Sequence, residues 1–274
     1  MIYRQFRRNR SAIAGLLLVA LFLGTSLFGP LLAPQDPSKQ NLRDALVPPG
    51  PQYWLGTDYL GRDLLSRLLH ASRVSLVVGL FAVAFGAAVG TFVGLTAGFY
   101  GGPVDVLAMR LIDILLSFPG ILLALAITSA LGPGIANVVL AVGIASFPIY
   151  ARVVRGAVLR IRNAEFVVAA EAVGVRPGRI MLRHLLPNCV GPLVVQTTLR
   201  FAGAILTSSG LSFLGLGIPR DIPEWGNILA TGRVYLRSAS WVALCPGISL
   251  AVVVLGFNLM GDGLRDALDP KLRL

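Results

Sequence analysis

The 274-residue sequence is 55% hydrophobic and only 14% charged, with a mean hydropathy of +0.76 and a formal net charge of +11. A soluble domain of this length carries roughly a quarter charged residues, so a soluble enzyme or binding module is excluded. Five stretches, 11–35, 74–104, 114–151, 201–219 and 238–261, contain no Asp, Glu, Lys or Arg. Each supplies the ~20 apolar residues that a helix needs to cross a bilayer core of ~30 Å. The runs are continuous rather than alternating, which excludes a β-barrel.

In chain order, the first span is expected over 11–33. It follows the basic start Arg7-Arg8-Asn9-Arg10. Its apolar run exceeds the ~7–15 residues of a signal-peptide core, so it reads as an uncleaved anchor. Residues 34–73 form the longest outer segment. Pro34, Pro37 and Pro48-Pro49-Gly50-Pro51 make its first part irregular, whereas Leu60, Leu64, Leu65, Leu68 and Leu69 predict a short amphipathic helix over 60–72. That helix is expected on the outer membrane surface or against the bundle.

The second span, 74–98, carries Ala82, Gly86, Gly90, Gly94 and Gly98 at every fourth position. Such a row lets two helix backbones approach closely, either within one chain or against a partner subunit. The apolar run 107–151 is too long for one span. Leu131-Gly132-Pro133-Gly134 divides it into spans near 107–130 and 135–152. A fifth span is expected near 189–211 and a sixth near 239–261, with Arg200 inside the fifth. An arginine at the centre of a lone helix costs ~2.5–3.5 kcal/mol on insertion scales, so Arg200 either lines a pathway or snorkels to an interface.

The fold class is therefore all-α: a polytopic bundle of six transmembrane helices. With both termini cytoplasmic, 15 of the 24 Lys and Arg residues fall on the inner side and 8 on the outer. The positive-inside rule fixes that orientation. The net charge is thus mostly a topology signal, and no nucleic-acid partner is needed to explain it. The expected organisation is an anchor and outer segment over 1–73, a transmembrane domain over 74–262 and a cytoplasmic tail over 263–274. Cys189 and Cys245, in or beside spans, read as small packing residues.

The longest inner segment, 152–188, needs a reason, because bundle helices are joined by ~2–8 residues. Residues 163–173 predict a short helix with Phe166, Ala170 and Val173 on one face and Glu165 and Glu171 elsewhere. Gly174 serves as its stop, and Pro177 opens a second helix that ends at Pro187. No catalytic constellation accompanies this loop. His70 and His184 lie on opposite sides of the membrane, no zinc or serine-hydrolase motif occurs, and neither Lys39 nor Lys271 belongs to a phosphate-binding loop. No enzymatic activity and no metal site are expected, and any ATP would bind another polypeptide.

The run Glu165-Phe166-Val167-Val168-Ala169-Ala170-Glu171-Ala172-Val173-Gly174, followed by Arg183-His184-Leu185-Leu186-Pro187-Asn188, resembles the EAA loop of type I ABC importer permeases. Ala169, Ala170, Gly174, Leu186 and Pro187 match that pattern, and its glutamate falls on Val168. Leu55-Gly56-Thr57-Asp58, Leu60-Gly61-Arg62-Asp63, Ser117-Phe118-Pro119, the run 211–217, Pro223-Glu224-Trp225-Gly226 and the tail 261–270 resemble the dipeptide, oligopeptide and glutathione permease subfamily. Nickel importers share that subfamily.

The resemblance implies a bacterial inner-membrane permease. Its partners would be a second, homologous permease, two cytoplasmic ATPase subunits that hold ATP and Mg, and an extracytoplasmic solute-binding protein. It also implies that Glu165, Phe166, Val168, Ala169, Ala170, Glu171, Gly174, His184 and Pro187 belong to an ATPase-coupling loop. An ion-coupled secondary transporter is the alternative from another class. Such proteins place ionisable groups near the midplane, where only Arg200 stands here, Asp113 being nearer the inner end of the third span.

Overall fold

The computed structural model describes residues 9–268, and Arg4, Arg7, Arg8, Lys271, Arg273 and the end of the tail motif lie outside them. Helix α1 runs over Arg10–Leu32, and the Asn9 side chain caps it by accepting from the amides of Ser11 and Ala12. Helix α2 runs over Leu64–Tyr100, α3 over Gly102–Leu116, α4 over Gly120–Leu131 and α5 over Ile135–Ile161. The inner segment holds α6 (Glu165–Ala172) and α7 (Pro177–Ile180). A π-helical turn over Met181–Leu185 joins α7 to α8 (Leu186–Phe213). Helices α9 (Trp225–Gly232) and α10 (Trp241–Leu268) complete the described chain.

Among the described residues, five continuous helices are long and apolar enough to cross a membrane, while α3 and α4 form a pair bent by 87°. Pro119 lacks an amide donor and disfavours helix at the residue before it, so the axis breaks at Ser117-Phe118-Pro119. At 1.5 Å per residue, α3 is about 22 Å long and α4 about 18 Å, so neither crosses alone. Joined at a right angle they span about 29 Å end to end.

The packing register decides whether the pair crosses. Gly86 faces Ser146, Gly90 faces Tyr150, Gly94 faces Val154 and Gly98 faces Val158. Helices α2 and α5 are therefore parallel, and the chain between them has to return to the side on which α2 began. The bent pair is a crossing, which gives six. The other pairings agree: α1 lies antiparallel to α10 (Gly15 against Gly256 and Met260, Asn9 against Asp266), and α8 antiparallel to α10 (Leu199 on Gly261, Phe201 stacked on Phe257).

Two expectations about boundaries are corrected. Residues 60–72 do not form a separate surface helix, because α2 begins at Leu64 and continues into the membrane span. Asp63 caps its start, accepting from the amide and hydroxyl of Ser66 at 2.8 and 2.6 Å. Arg67 is buried beside Asp58, which also binds Arg62 Nε at 2.7 Å. These polar positions are interior, and helical periodicity does not distinguish them from solvated ones. Pro187 does not end a helix either. The stretch Pro177–Phe213 is one helix of 37 residues. The π turn admits the proline: the Leu186 amide reaches back five residues to the Met181 carbonyl, so the usual register is already broken where Pro187 offers no donor. The expected boundaries at 73/74 and 262/263 both fall inside continuous helices.

The outer side is stapled by tryptophans and a buried acid. Trp241 Nε1 donates to the Thr57 carbonyl and Trp225 Nε1 to the Leu68 carbonyl, both at 3.2 Å. Gly61, at φ +69°, closes the tight turn between Asp58 and Arg62; a Cβ there would meet the Asn41 carbonyl. Glu224 is 1% exposed and accepts from the Ser209 hydroxyl at 2.6 Å and the Asn227 amide at 2.9 Å. It locks the segment after α8 back onto that helix. Glu224→Ala will strand both donors in a buried site, a cost of ~1–3 kcal/mol each. The purified protein will unfold at a clearly lower temperature, whereas Asp221→Ala, on the exposed surface nearby, will leave it unchanged. Equal unfolding temperatures for the two variants would refute the locking role.

Candidate functional site

The inner loop is a helix–turn–helix built on a small apolar cluster. Val167 and Ala170 of α6 pack with Ile180 and Leu185 against Leu95, Val154 and Val158. Helix α6 thereby shares one apolar cluster with α7, the π turn and the inner ends of α2 and α5. Its stop is a Schellman motif: Gly174 N–H bonds to the Glu171 carbonyl at 2.9 Å and Val175 N–H to the Ala170 carbonyl at 3.0 Å. Gly174 sits at φ +75°, where a side chain would be strained. The Phe166 ring lies 6.5 Å from that of His184, which ties α6 to the π turn.

The faces of α6 differ from the expected grouping. Phe166 and Val173 are 45% and 78% exposed, whereas Ala170 is 7% exposed and faces the chain's own core. Val168, Ala169, Glu165 and Glu171 share the exposed side with Phe166 and Val173, and Pro187 is exposed at the start of α8. The outward surface is therefore apolar in its middle with two glutamates at its edges. An apolar row exposed on the inner, polar side of a membrane protein is a candidate contact surface.

A second feature runs along the seam between α5 and α8. A cavity of about 620 Å³ opens at the inner end, lined among others by Arg152, Gly156, Arg160, Pro192 and Arg265. Further in, a cavity of about 100 Å³ is lined by Gly120, Ser146, Arg200, Gly203 and Thr207. On α5, positions 142, 145 and 146 continue the stripe of 152, 153, 156 and 160, and on α8 positions 200, 203 and 207 continue that of 192 and 195. The two cavities thus follow one seam, the wider at the inner end and the smaller, with Arg200, at mid-membrane. Asp113 binds Arg152 at 2.7 Å with both side chains exposed, while Asp105 holds Arg155 in a two-bond pair at 2.5 and 2.6 Å.

The glycine ridge lies elsewhere. Gly86, Gly90, Gly94 and Gly98 contact α5 of the same chain, and Cβ atoms placed there would stand 2.4–2.8 Å from α5 atoms. The groups that sequence reasoning overlooked are Glu224 and the Asp58–Arg62–Arg67 network. Glu224 and Arg62 each carried a signal, a charge beside Pro and Trp or beside Gly; Asp58 and Arg67 carried none.

Comparison with known proteins places these features. Residues 90–274 match the family described as "Binding-protein-dependent transport system inner membrane component", and residues 1–49 match "N-terminal TM domain of oligopeptide transport permease C". The chain is 47% identical to the di/tripeptide transport system permease protein DppC of Pseudomonas aeruginosa, over 99% of this chain and 91% of that one. It is 45% identical to the dipeptide transport system permease protein DppC of Alkalihalophilus pseudofirmus, over 99% and 89%. It is also 45% identical to the glutathione transport system permease protein GsiD of Escherichia coli, over 99% and 90%. Among solved structures, the inward-facing MetNI methionine ABC transporter matches with a TM-score of 0.59 at 20% identity, covering 74% of this chain and 96% of that one. That likeness concerns the fold.

Proposed function

Because this chain belongs to the family of binding-protein-dependent transport system inner membrane components, we propose that it forms half of the transmembrane pathway of an ATP-driven importer for dipeptides, tripeptides or glutathione-like solutes. The substrate class follows the relatives named for dipeptide, di/tripeptide and glutathione transport, which cover nearly the whole chain. The site of action is the bacterial inner membrane. The partners are a second, related permease, two cytoplasmic ATPase subunits that bind the ATP, and an extracytoplasmic protein that delivers solute.

The observation that carries the mechanism is mechanical. The exposed face of α6 is held by the Schellman turn to α7, and α7 is continuous through the π turn with the whole of α8. The inner face of α6 belongs to the apolar cluster that also holds Leu95 of α2 and Val154 and Val158 of α5. A push on Phe166, Val168 and Val173 by an ATPase subunit therefore reaches three spans at once, including the one that carries Arg200. When ATP closes the ATPase pair, the spans rock and the groove between α5 and α8 changes its opening. The differing contacts of the two states, not the motion alone, set which is favoured.

Substrate competition tests this reading. In vesicles holding the complete assembly, uptake of a labelled dipeptide will be suppressed by excess unlabelled dipeptide, tripeptide or glutathione and unaffected by Ni²⁺ at the same concentration. Uptake of labelled Ni²⁺ with no uptake of the labelled dipeptide would assign the chain to nickel import instead.

A further inference from the structure

Arg200 lies about midway along α8, and its Nε is buried with no hydrogen-bond partner among the described residues. No carboxylate among the described residues lies within ion-pair distance of it. A guanidinium at this depth is costly without an anionic or aqueous counterpart. The cavity before it holds about 100 Å³. That accommodates a carboxylate and one or two waters, at ~30 Å³ for a water. Gly120, the first residue of α4, lines the same space and brings the positive end of that helix to it. Towards the inner surface the groove stays cationic with Arg160 and Arg265, which make no ion pair among the described residues.

We propose that Arg200 is a transit subsite that binds the terminal carboxylate of the peptide as it crosses, so that this permease itself, and not only the external binding protein, favours solutes ending in a free carboxylate. The inference rests on the peptide-importer reading above. The guanidinium offers two parallel donors that match a carboxylate, a geometry that lysine provides only in part. On the inner side Arg152, Arg160 and Arg265 line the wider cavity, with Arg152 paired to Asp113, so an anion released by Arg200 meets further cations on its way out.

The test compares a dipeptide with its C-terminal amide in vesicles holding the whole assembly, each supplied at concentrations that saturate the binding protein. Arg200→Gln will slow uptake of the free acid at least about tenfold and leave uptake of the amide within twofold of the parent. Arg200→Lys will slow the free acid less, with the amide again unchanged. ATP hydrolysis stimulated by loaded binding protein will persist in both. If the Gln variant fails to assemble, the Lys variant still reads the acid-to-amide ratio. Equal slowing of acid and amide, or no slowing of either, overturns the subsite. A parent assembly that moves neither these compounds nor a tripeptide nor glutathione overturns the transport reading on which the subsite rests.

Discussion

Gly90→Leu will leave little or no assembled, transport-competent protein in the membrane. Even a Cβ at this position would stand 2.4 Å from Tyr150 Cβ, 2.5 Å from the Phe147 carbonyl and 2.9 Å from the Ala151 amide. Two of those atoms are backbone, so no rotamer change relieves the contact. Helices α2 and α5 would have to separate by about an ångström at their closest approach, in the most extensive helix pairing of the chain. Overpacking costs ~1–3 kcal/mol for an added methylene or two, and leucine adds four carbons. Tyr150, fully buried across from Gly90, has nowhere to go. Gly24→Leu supplies the matched control, because nothing lies within 4 Å of a Cβ at that position in α1. Membrane abundance of the two variants, measured by quantitative immunoblot and by recovery of the assembly, decides. Parent-level assembly and uptake for Gly90→Leu would remove the close-packing argument.

Phe166→Asp and Gly174→Val will each abolish uptake and the stimulation of ATP hydrolysis by loaded binding protein, with all six spans still inserted. The two substitutions act differently. Phe166→Asp puts a charge into the exposed apolar row that an ATPase groove would have to desolvate, at a cost of several kcal/mol. Gly174→Val forces a β-branched residue to φ +75°, which undoes the Schellman turn and swings α6 away from α7. Ala170→Arg is a less informative change, since Ala170 faces the chain's own core and its replacement would dismantle the loop. Asn163→Ala, on the exposed turn before α6, will change little. The loop would lose its proposed coupling role if stimulated hydrolysis in Phe166→Asp matched the parent.

The crossings were legible because apolar runs and arginine placement record the bilayer directly. Gly132-Pro133-Gly134 was legible as a break because both residue types disfavour helix and the run was too long for one span. The break at Ser117-Phe118-Pro119 was not, since apolar residues continue on both sides and hydropathy carries no information about axis direction. The glycine ridge announced a close helix contact, but sequence does not say which helix is opposite; only the register with α5 does. In the inner loop, Gly174 and Pro177 marked the turn correctly, while the faces of α6 were misjudged at Ala170. An alanine suits either a docking surface or a packed core, and the neighbours that decide, Val154, Ile180 and Leu185, are distant in sequence or beyond the turn. The role of Glu224 as a clamp depends on Ser209, fifteen residues away on another element.

We propose that transport through this chain is driven by ATP hydrolysis in partner subunits and transmitted through α6. The most direct measurement uses sealed vesicles containing the complete assembly, with the binding protein and labelled dipeptide on one side and the ATPase subunits on the other. ATP supplied on the ATPase side, with no proton or sodium gradient, will drive accumulation of the dipeptide, and a non-hydrolysable ATP analogue will not. Accumulation driven by an ion gradient alone, with ATP making no difference, would contradict the account and favour an ion-coupled carrier.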